Sequence, residues 1–419
     1  MSKEITKCAK DTKRDLPEGW QWVKLGEVCD KIRNGTTANQ LQEIDGIPVT
    51  RIESISSGEI DSRKVGFLSG SMDDYSDYLL ESGDILFSHI NSVERLGNCA
   101  IYRGVPTHLI HGMNLLRIQA NRLLIDPEFL LLFFRSESAI AFYRNEARRA
   151  IGQASLNTKD ISALPILLPP LPKQLRIVGI LKEQMAAVDK ARAAAQARLE
   201  AVKTLPAAFL RQVFPQPGQP FPTGWRWVRL GEVCEKQTGI RDPRTEPETI
   251  FRYVDITSVN NVQKCITEAR TVLGKDAPSR ARQVIRAKDI IVATTRPNLN
   301  AVTLVPTELD NQICSTGFCV LRAGPDLLPD YLLAFVRDKS FIEALTDLVK
   351  GALYPAVNDS QVKAQPIALP TLDEQRRIAR VLCEQMAAVE KARAASEEEL
   401  QTINALPAAL LRRAFNGEI

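Results

Sequence analysis

The chain has 419 residues, of which 44% are hydrophobic and 25% charged, and a formal net charge of +4. That length exceeds one ordinary core and favours two or three domains of folded, water-soluble composition. No stretch approaches the run of roughly 18 apolar residues that a membrane span needs, and the mild basicity permits nucleic-acid binding without demanding it. Residues 1–16 are polar and lack an apolar signal core, so they read as a lead-in to a cytoplasmic protein.

In chain order, residues 17–168 read as a first globular domain. Trp20-Gln-Trp22-Val-Lys-Leu25 alternates like a short strand, with Trp20, Trp22 and Leu25 near the core. Leu25-Gly-Glu-Val then opens a turn or short helix, and Cys29 after it reads as a small buried side chain. Ile47–Ser54, Asp84–Ser88 and Asn114–Ile118 read as strands, and Pro127 to Tyr143 as one amphipathic helix with proline in its first turn. The prolines of Leu164–Pro172 favour extended backbone.

Residues 169–215 read as a helical spacer, with Val178, Leu181, Met185, Val188, Ala195, Leu199 and Val202 on the a and d positions of a heptad.

The same order then recurs. Pro17-Glu-Gly-Trp20-Gln-Trp22-Val-Lys-Leu-Gly-Glu-Val returns from Pro222, an offset of 222 − 17 = 205, and Glu183-Gln-Met185-Ala-Ala-Val188 returns from Glu384, with 386 − 185 = 201. A second domain therefore spans 216–369 and a second helix 370–419. Its strands are Phe251–Asp255, Asp289–Ala293 and Phe318–Arg322, and its helix runs from Pro329 to Val349. Its seam is Ala379, Leu382, Met386, Val389, Leu400 and Ile403.

Arg192 and Arg393 interrupt the two seams at equivalent positions, where they either snorkel or meet an acidic group from another protein. The predicted class is α+β (mixed α/β). Two similar domains are separated by two long antiparallel helices, with an internal pseudo-two-fold symmetry. Helices of about 30–35 residues would be rods of roughly 50 Å, comparable with one turn of B-DNA at about 34 Å.

The copies agree in their helices and differ between Lys31 and Ala163, where what survives is scaffold, such as Gly83-Asp84-Ile85-Leu86 against Lys288-Asp289-Ile290-Ile291. That pattern arises from drifting loops, or from two copies that recognise different things.

An enzyme is the main rival. The sequence contains no Asn/Asp-Pro-Pro-aromatic methyltransferase motif, no phosphate-binding Gly-x-x-x-x-Gly-Lys, no Gly-x-Gly-x-x-Gly and no His-Glu-x-x-His. Cys314 and Cys319 form the one close cysteine pair, and His89, His108 and His111 do not complete a metal set with them, so no metal is expected.

The paired Gly-Trp-x-Trp-Val-x-Leu-Gly-Glu-Val starts, with Pro170-Leu171-Pro-Lys-Gln174-Leu-Arg-Ile177 and Thr371-Leu372-Asp-Glu-Gln375-Arg-Arg-Ile378, are similar to those of the specificity subunits of type I restriction-modification systems. The resemblance runs from Pro17 to Glu418. It implies a non-catalytic DNA-recognition subunit, in which each domain reads one half of a bipartite asymmetric site on double-stranded DNA. It also implies that the helices set the half-site spacing and dock two methyltransferase subunits, which restriction and translocase subunits join. S-adenosylmethionine, ATP and magnesium would then belong to the partners' adenine-N6 methyltransferase and ATP-dependent endonuclease activities. The alternative is a helical assembly scaffold with no sequence reading of its own.

Base readout needs polar and basic side chains on loops that reach a groove. In the first domain the candidates are Arg33, Asn34, Thr36, Arg51, Ser88, His89, Asn91, His111, Asn114, Arg149, Gln153 and Ser155. In the second they are Arg241, Arg244, Arg252, Thr294, Thr295, Arg296, Asn298, Asn300, Lys350 and Tyr354. Each is equally readable as an ordinary solvated loop residue, and Arg149 as a charge at a helix C-terminus. His89-Ile-Asn91 and Thr295-Arg296-Pro-Asn298 follow equivalent strands and read as one loop with two chemistries.

Overall fold

The computed structural model describes residues 18–41, 46–55, 58–215, 223–261, 263–351 and 353–419. The lead-in at 1–16 lies outside them. The chain divides into two compact units, residues 1–195 with 399–419, and residues 196–398. Each unit holds one mixed helix–strand domain, the start of the helix that follows it, and the end of the other long helix.

The first unit is built on an antiparallel sheet in the order Cys29–Asn34, Leu116–Ala120, Ile85–Phe87, Cys99–Ile101. Its buried residues pack against helices Pro127–Phe134 and Glu137–Glu146, with Phe87 edge-on to Phe134 at 5.5 Å and to Tyr143 at 5.1 Å. In the second unit Ile290–Ala293 lies between Val302–Leu304 and Phe318–Leu321, backed by helices Pro329–Arg337 and Lys339–Asp347.

The single helix expected over Pro127–Tyr143, and its counterpart, are thus each two. Ser136 accepts a hydrogen bond from the Ala139 N–H and Asp338 from the Ser340 N–H, so each caps a new helix where the apolar periodicity would carry one through.

Three further expectations are corrected. Trp22 is exposed, as is Trp227, while Trp20 is buried. The strand starts only at Gln21, after Gly19 at φ +79, and pairs at one edge with Pro165–Leu168, so Val23 rather than Trp22 faces the core. The extended stretch from Ile47 ends at Val49, and Ile52–Ile55 winds into a 3₁₀ turn. The long helices span Leu171–Val213 and Leu372–Phe415, 43 and 44 residues, because they begin directly after the proline strands and run through Pro206 and Pro407.

The proline segments themselves form strands, Pro165–Leu168 and Pro366–Leu369.

Leu181, Val188, Leu382 and Val389 of the heptad seam are buried, and Met185 and Met386 half-buried. In the first unit Val178 and Leu181 share one core with Leu411, Ala414 and Phe415, and farther along the Arg192 Nε donates to Asn404 Oδ1 at 2.8 Å. Rising numbers in one helix meet falling numbers in the other, so they run antiparallel there. The seam arginines are satisfied locally: Arg192 also reaches Asp189, and Arg393 reaches Glu390 and Glu397.

Phe415 lies 5.2 Å from Phe129 and 5.3 Å from Phe133, and Phe214 lies 5.5 Å from both Tyr331 and Phe335. Each globular core is therefore closed by the last turn of a helix that begins after the other domain.

Gln174 and Gln375 are fully buried bolts. Gln174 Nε2 donates to the carbonyls of Leu124 (3.0 Å) and Pro169 (2.8 Å), and its Oε1 accepts from the Asp126 N–H (2.8 Å). Gln375 does the same with Asp326, Pro370 and Leu328. The glutamine of the shared motif thus satisfies three buried or part-buried backbone groups, and locks each long helix to the loop entering the domain's first helix.

Candidate nucleic-acid interface

Each candidate surface starts from a buried ion pair. Arg117 Nε lies 2.7 Å from Asp84 Oδ2, and both side chains are almost wholly buried. Arg322 is bidentate on Asp289, at 2.8 and 2.7 Å. The aspartates also accept from backbone N–H groups at the turns before their strands, from Glu81 and Arg286. These pairs fix where the strands Ile85–Phe87 and Ile290–Ala293 enter the sheet, and hence where the segments after them emerge.

In the first unit the emerging segment is Ser88–Asn91. Ile90–Asn91 pairs with Ala154–Ser155, which belongs to a hairpin of Arg148–Ala150 and Gln153–Ser155. The Leu156 N–H donates to the His89 carbonyl at 2.8 Å. Two stretches that lie about sixty residues apart in sequence are thus one three-stranded sheet. Arg149 stands exposed on a strand with Gln153, its guanidinium donating to the Arg144 carbonyl. It keeps a helix-end role there, because Arg144 lies in the last turn of Glu137–Glu146.

The second unit repeats the plan. Thr295 bridges to Ala356, the Arg296 N–H donates to the Pro355 carbonyl at 2.8 Å, and the Val357 N–H to the Thr294 carbonyl at 2.9 Å. Arg296 and Asn300 both adopt left-handed backbone, φ +51 and +50, on either side of the 3₁₀ turn Pro297–Leu299. Arg296, Asn298, Lys350 and Tyr354 are exposed on this joined surface.

Not all the expected readers face solvent. Thr36, Ser88, His89, His111 and Thr294 are buried. The Thr294 hydroxyl donates to the Gly317 carbonyl (2.9 Å), Ser88 Oγ accepts from Asn91 Nδ2 (3.0 Å), and His111 Nε2 donates to the Leu115 carbonyl (3.0 Å). These side chains hold the loops in place, a role sequence cannot distinguish from contact because both use polar residues beside turns.

Arg33 lies half-buried over the Tyr78 ring at 4.5 Å, and Arg51 is tied to Gln40. Asn34 is exposed, while Ser155 and Asn114 are half-buried, the latter at φ +68.

In the second unit Arg244 is bidentate on Asp242, Arg241 reaches Glu246 at 3.3 Å, and Arg252 donates to the Ala269 carbonyl at 2.9 Å. Arg241 and Arg244 are thus paired with acidic neighbours, and Arg252 with a backbone carbonyl. Ile151 and Leu353 are both exposed among the candidates; the signal for them in the sequence is an apolar residue beside glycine and basic residues in a loop.

Burial pushes the His111 imidazole down to about 4, against the opposing hydrogen bond to Leu115. A histidine kept neutral by the fold is protonated more readily when unfolded, so between pH 4 and its ordinary value near 6.5 the unfolded state binds the extra proton. Stability is full above that window and falls as pH drops through it, by about 2 kcal/mol between pH 7 and pH 5. Urea melts of the first unit at the two pH values read this loss, and His111→Gln will show a smaller one. An equal loss in the variant assigns the effect to other groups.

Burial raises the thiols of Cys29 and Cys234 to about 12 and also pushes up those of Cys314 and Cys319, which keeps all four protonated. Among the described residues no group of three or more His, Cys, Asp or Glu side chains is placed to hold a metal ion, and no helix is long and apolar enough to cross a membrane.

The model of the type I restriction modification DNA specificity domain matches this chain twice, over residues 17–200 and 222–398. The chain belongs to that family. It is a specificity subunit with two target-recognition domains, and it has no catalytic role. A putative type I restriction enzyme specificity subunit, MjaX of Methanocaldococcus jannaschii, is 29% identical over 395 residues, covering 88% of this chain and 87% of that protein. The EcoKI specificity subunit of Escherichia coli K12 is 28% identical over 194 residues, 46% of this chain and 42% of that one.

The fold is shared with the HsdS subunit from Thermoanaerobacter tengcongensis, at TM-score 0.64, 24% identity and coverage of 98% and 100%. It is also shared with a chain solved in work on complex assembly and conformational transition of the type I R-M system, at TM-score 0.74, 24% identity and coverage of 97% and 100%. In this specificity subunit the parts common to both copies are the buried ion pairs, the glutamine bolts and the helix-end phenylalanines. The parts that differ are the exposed segments.

Proposed function

We propose that each recognition domain reads one half of a bipartite, asymmetric site on double-stranded DNA. The paired helices set the spacing and dock two methyltransferase subunits, and restriction–translocase subunits join the same core. S-adenosylmethionine, ATP and magnesium serve those partners. The observation that carries this reading is one scaffold presenting two chemistries: Arg149 and Gln153 in the first unit, Arg296, Asn298, Lys350 and Tyr354 in the second. A repeated scaffold suits two identical protein partners, and unlike exposed segments suit two unlike half-sites. A scaffold that reads nothing has no use for that divergence.

The test is to assemble the chain with the methyltransferase subunits of its system and map N6-methyladenine on genomic DNA. Methylation confined to one interrupted sequence supports the reading, and methylation of no sequence sinks it. Arg296→Ala is expected to relax recognition in one half-site by about 1–3 kcal/mol, read as mismatch tolerance in methylation rates. Equal loss in both halves would instead place Arg296 in folding or partner contact.

A further inference from the structure

Both units end their second exposed segment in an apolar side chain held out into water. Ile151, at the two-residue turn of the first hairpin, is fully exposed beside Gly152, which has φ +73 and open space around it. Leu353 and Tyr354 are 88% and 84% exposed, close to Gly351 at φ +84. Single exposed apolar residues are ordinary on protein surfaces. Three features set these apart.

The first is their position. Asn157 and Asn358 both cap the short helix that follows, 358 − 157 = 201, and on that alignment residues 148–155 and 349–356 share no identity. An apolar tip nevertheless recurs. The second is rigidity. The segments are tied at their bases to the strands after the buried ion pairs, through Leu156 to His89 and Val357 to Thr294. The base of each tip is therefore fixed, and the backbone there loses little further freedom on binding. The third is charge, since exposed Arg148 and Arg149 precede Ile151 and exposed Lys350 precedes Leu353.

An apolar point beside cations matches a duplex groove, where phosphates meet the cations and base edges or an opened base step meet the apolar group. The methyltransferase subunits are the other candidate. A partner present in two identical copies would meet the same residues twice, whereas the tips differ, isoleucine in one and leucine–tyrosine in the other.

We propose that Ile151 and the Leu353–Tyr354 pair press against base edges in a groove of duplex DNA, each within its own half-site, with Arg149 and Lys350 on the adjacent phosphates. This rests on the reading that each domain recognises one half-site, and names the apolar part of that contact.

The test uses the assembled methyltransferase complex and a duplex carrying the site it methylates, titrated over a series of salt concentrations. Ile151→Ser is expected to bind about tenfold more weakly with an unchanged salt slope, because no phosphate contact is lost, and Ile151→Leu to restore binding. Arg149→Ala is expected to lower the slope by about one. Mismatch scanning should show Ile151→Ser flattening discrimination in one half-site and Leu353→Ser with Tyr354→Ala in the other.

Unchanged affinity of Ile151→Ser overturns the proposal, as does loss spread equally over both halves. So does poorer retention of the methyltransferase subunits with DNA binding per assembled complex unchanged. If the wild-type complex prefers no duplex over random sequence, the half-site reading fails and this proposal with it. If it does prefer one and Ile151→Ser behaves as wild type, only the proposal about the tips fails.

Discussion

Replacing Phe415 by alanine is expected to destabilise the first unit by about 3–5 kcal/mol. Phe415 closes the core of that unit against Phe129 and Phe133, with Leu411 and Ala414 on the same side. Truncating it removes a buried aromatic side chain and leaves a cavity, because the two facing rings are themselves held by Phe134 and the sheet. Hydrogen exchange followed by mass spectrometry is the measurement. Peptides from Pro127–Glu146 should lose protection while those from Pro329–Asp347 keep theirs, and Phe214→Ala should do the reverse through Tyr331 and Phe335. Fraying confined to the last turn of the C-terminal helix, with Pro127–Glu146 unaffected, would show that the helix end does not complete that core.

Asp84→Ala should be at least as damaging, about 3–5 kcal/mol, because it strands the Arg117 guanidinium in the interior. Burial already pushes the Asp84 carboxyl above the ordinary carboxylate range, although the Glu81 N–H and Arg117 act the other way. Removing Asp84 alone leaves the desolvated cation with only the exposed Glu81, 3.4 Å from its Nη2, to offset it, whereas the double replacement Asp84→Leu with Arg117→Met removes both charges and is expected to recover most of the stability. Urea unfolding of the single and double variants decides it. A double variant as unstable as Asp84→Ala would mean that the loss comes from the turn that Asp84 caps and not from the orphaned arginine. Asp289 and Arg322 form the same pair in the second unit, and Asp289→Ala should lower its stability similarly.

Much of this was visible without coordinates. The duplication, the heptad seams, the proline-flanked strands and the class of each domain follow from patterns of period two, period 3.5 and a repeat of about two hundred residues, all of which act locally or by self-similarity. The paired helix inside the Pro127 and Pro329 segments was hidden because Ser136 and Asp338 look like ordinary polar positions until their side chains are seen capping the next turn. Alternation counted from Trp20 misplaces Trp22, because the strand begins one residue later, at Gln21.

The candidate interface was half legible. Residue types on loops point to the segments that the structure joins, Ser88–Asn91 with Arg149–Ser155 and Thr294–Asn300 with Lys350–Tyr354. The division of labour within them was not legible, because a hydroxyl or imidazole that satisfies a backbone carbonyl and one that faces water are the same letters. Thr294, Ser88 and His111 went inward, while Arg296, Asn298 and Gln153 stayed out.

The repeated starts, the seams and the motif glutamines by themselves determined the family, the two-domain plan and the placing of variable surfaces between shared helices. Only the tertiary structure decided which helix end closes which core, what Gln174 and Gln375 hold, and that each candidate surface joins two segments distant in sequence. Such facts rest on burial and on long-range pairing. They come from summed contacts between residues far apart in the chain, and no local pattern of residue types encodes them.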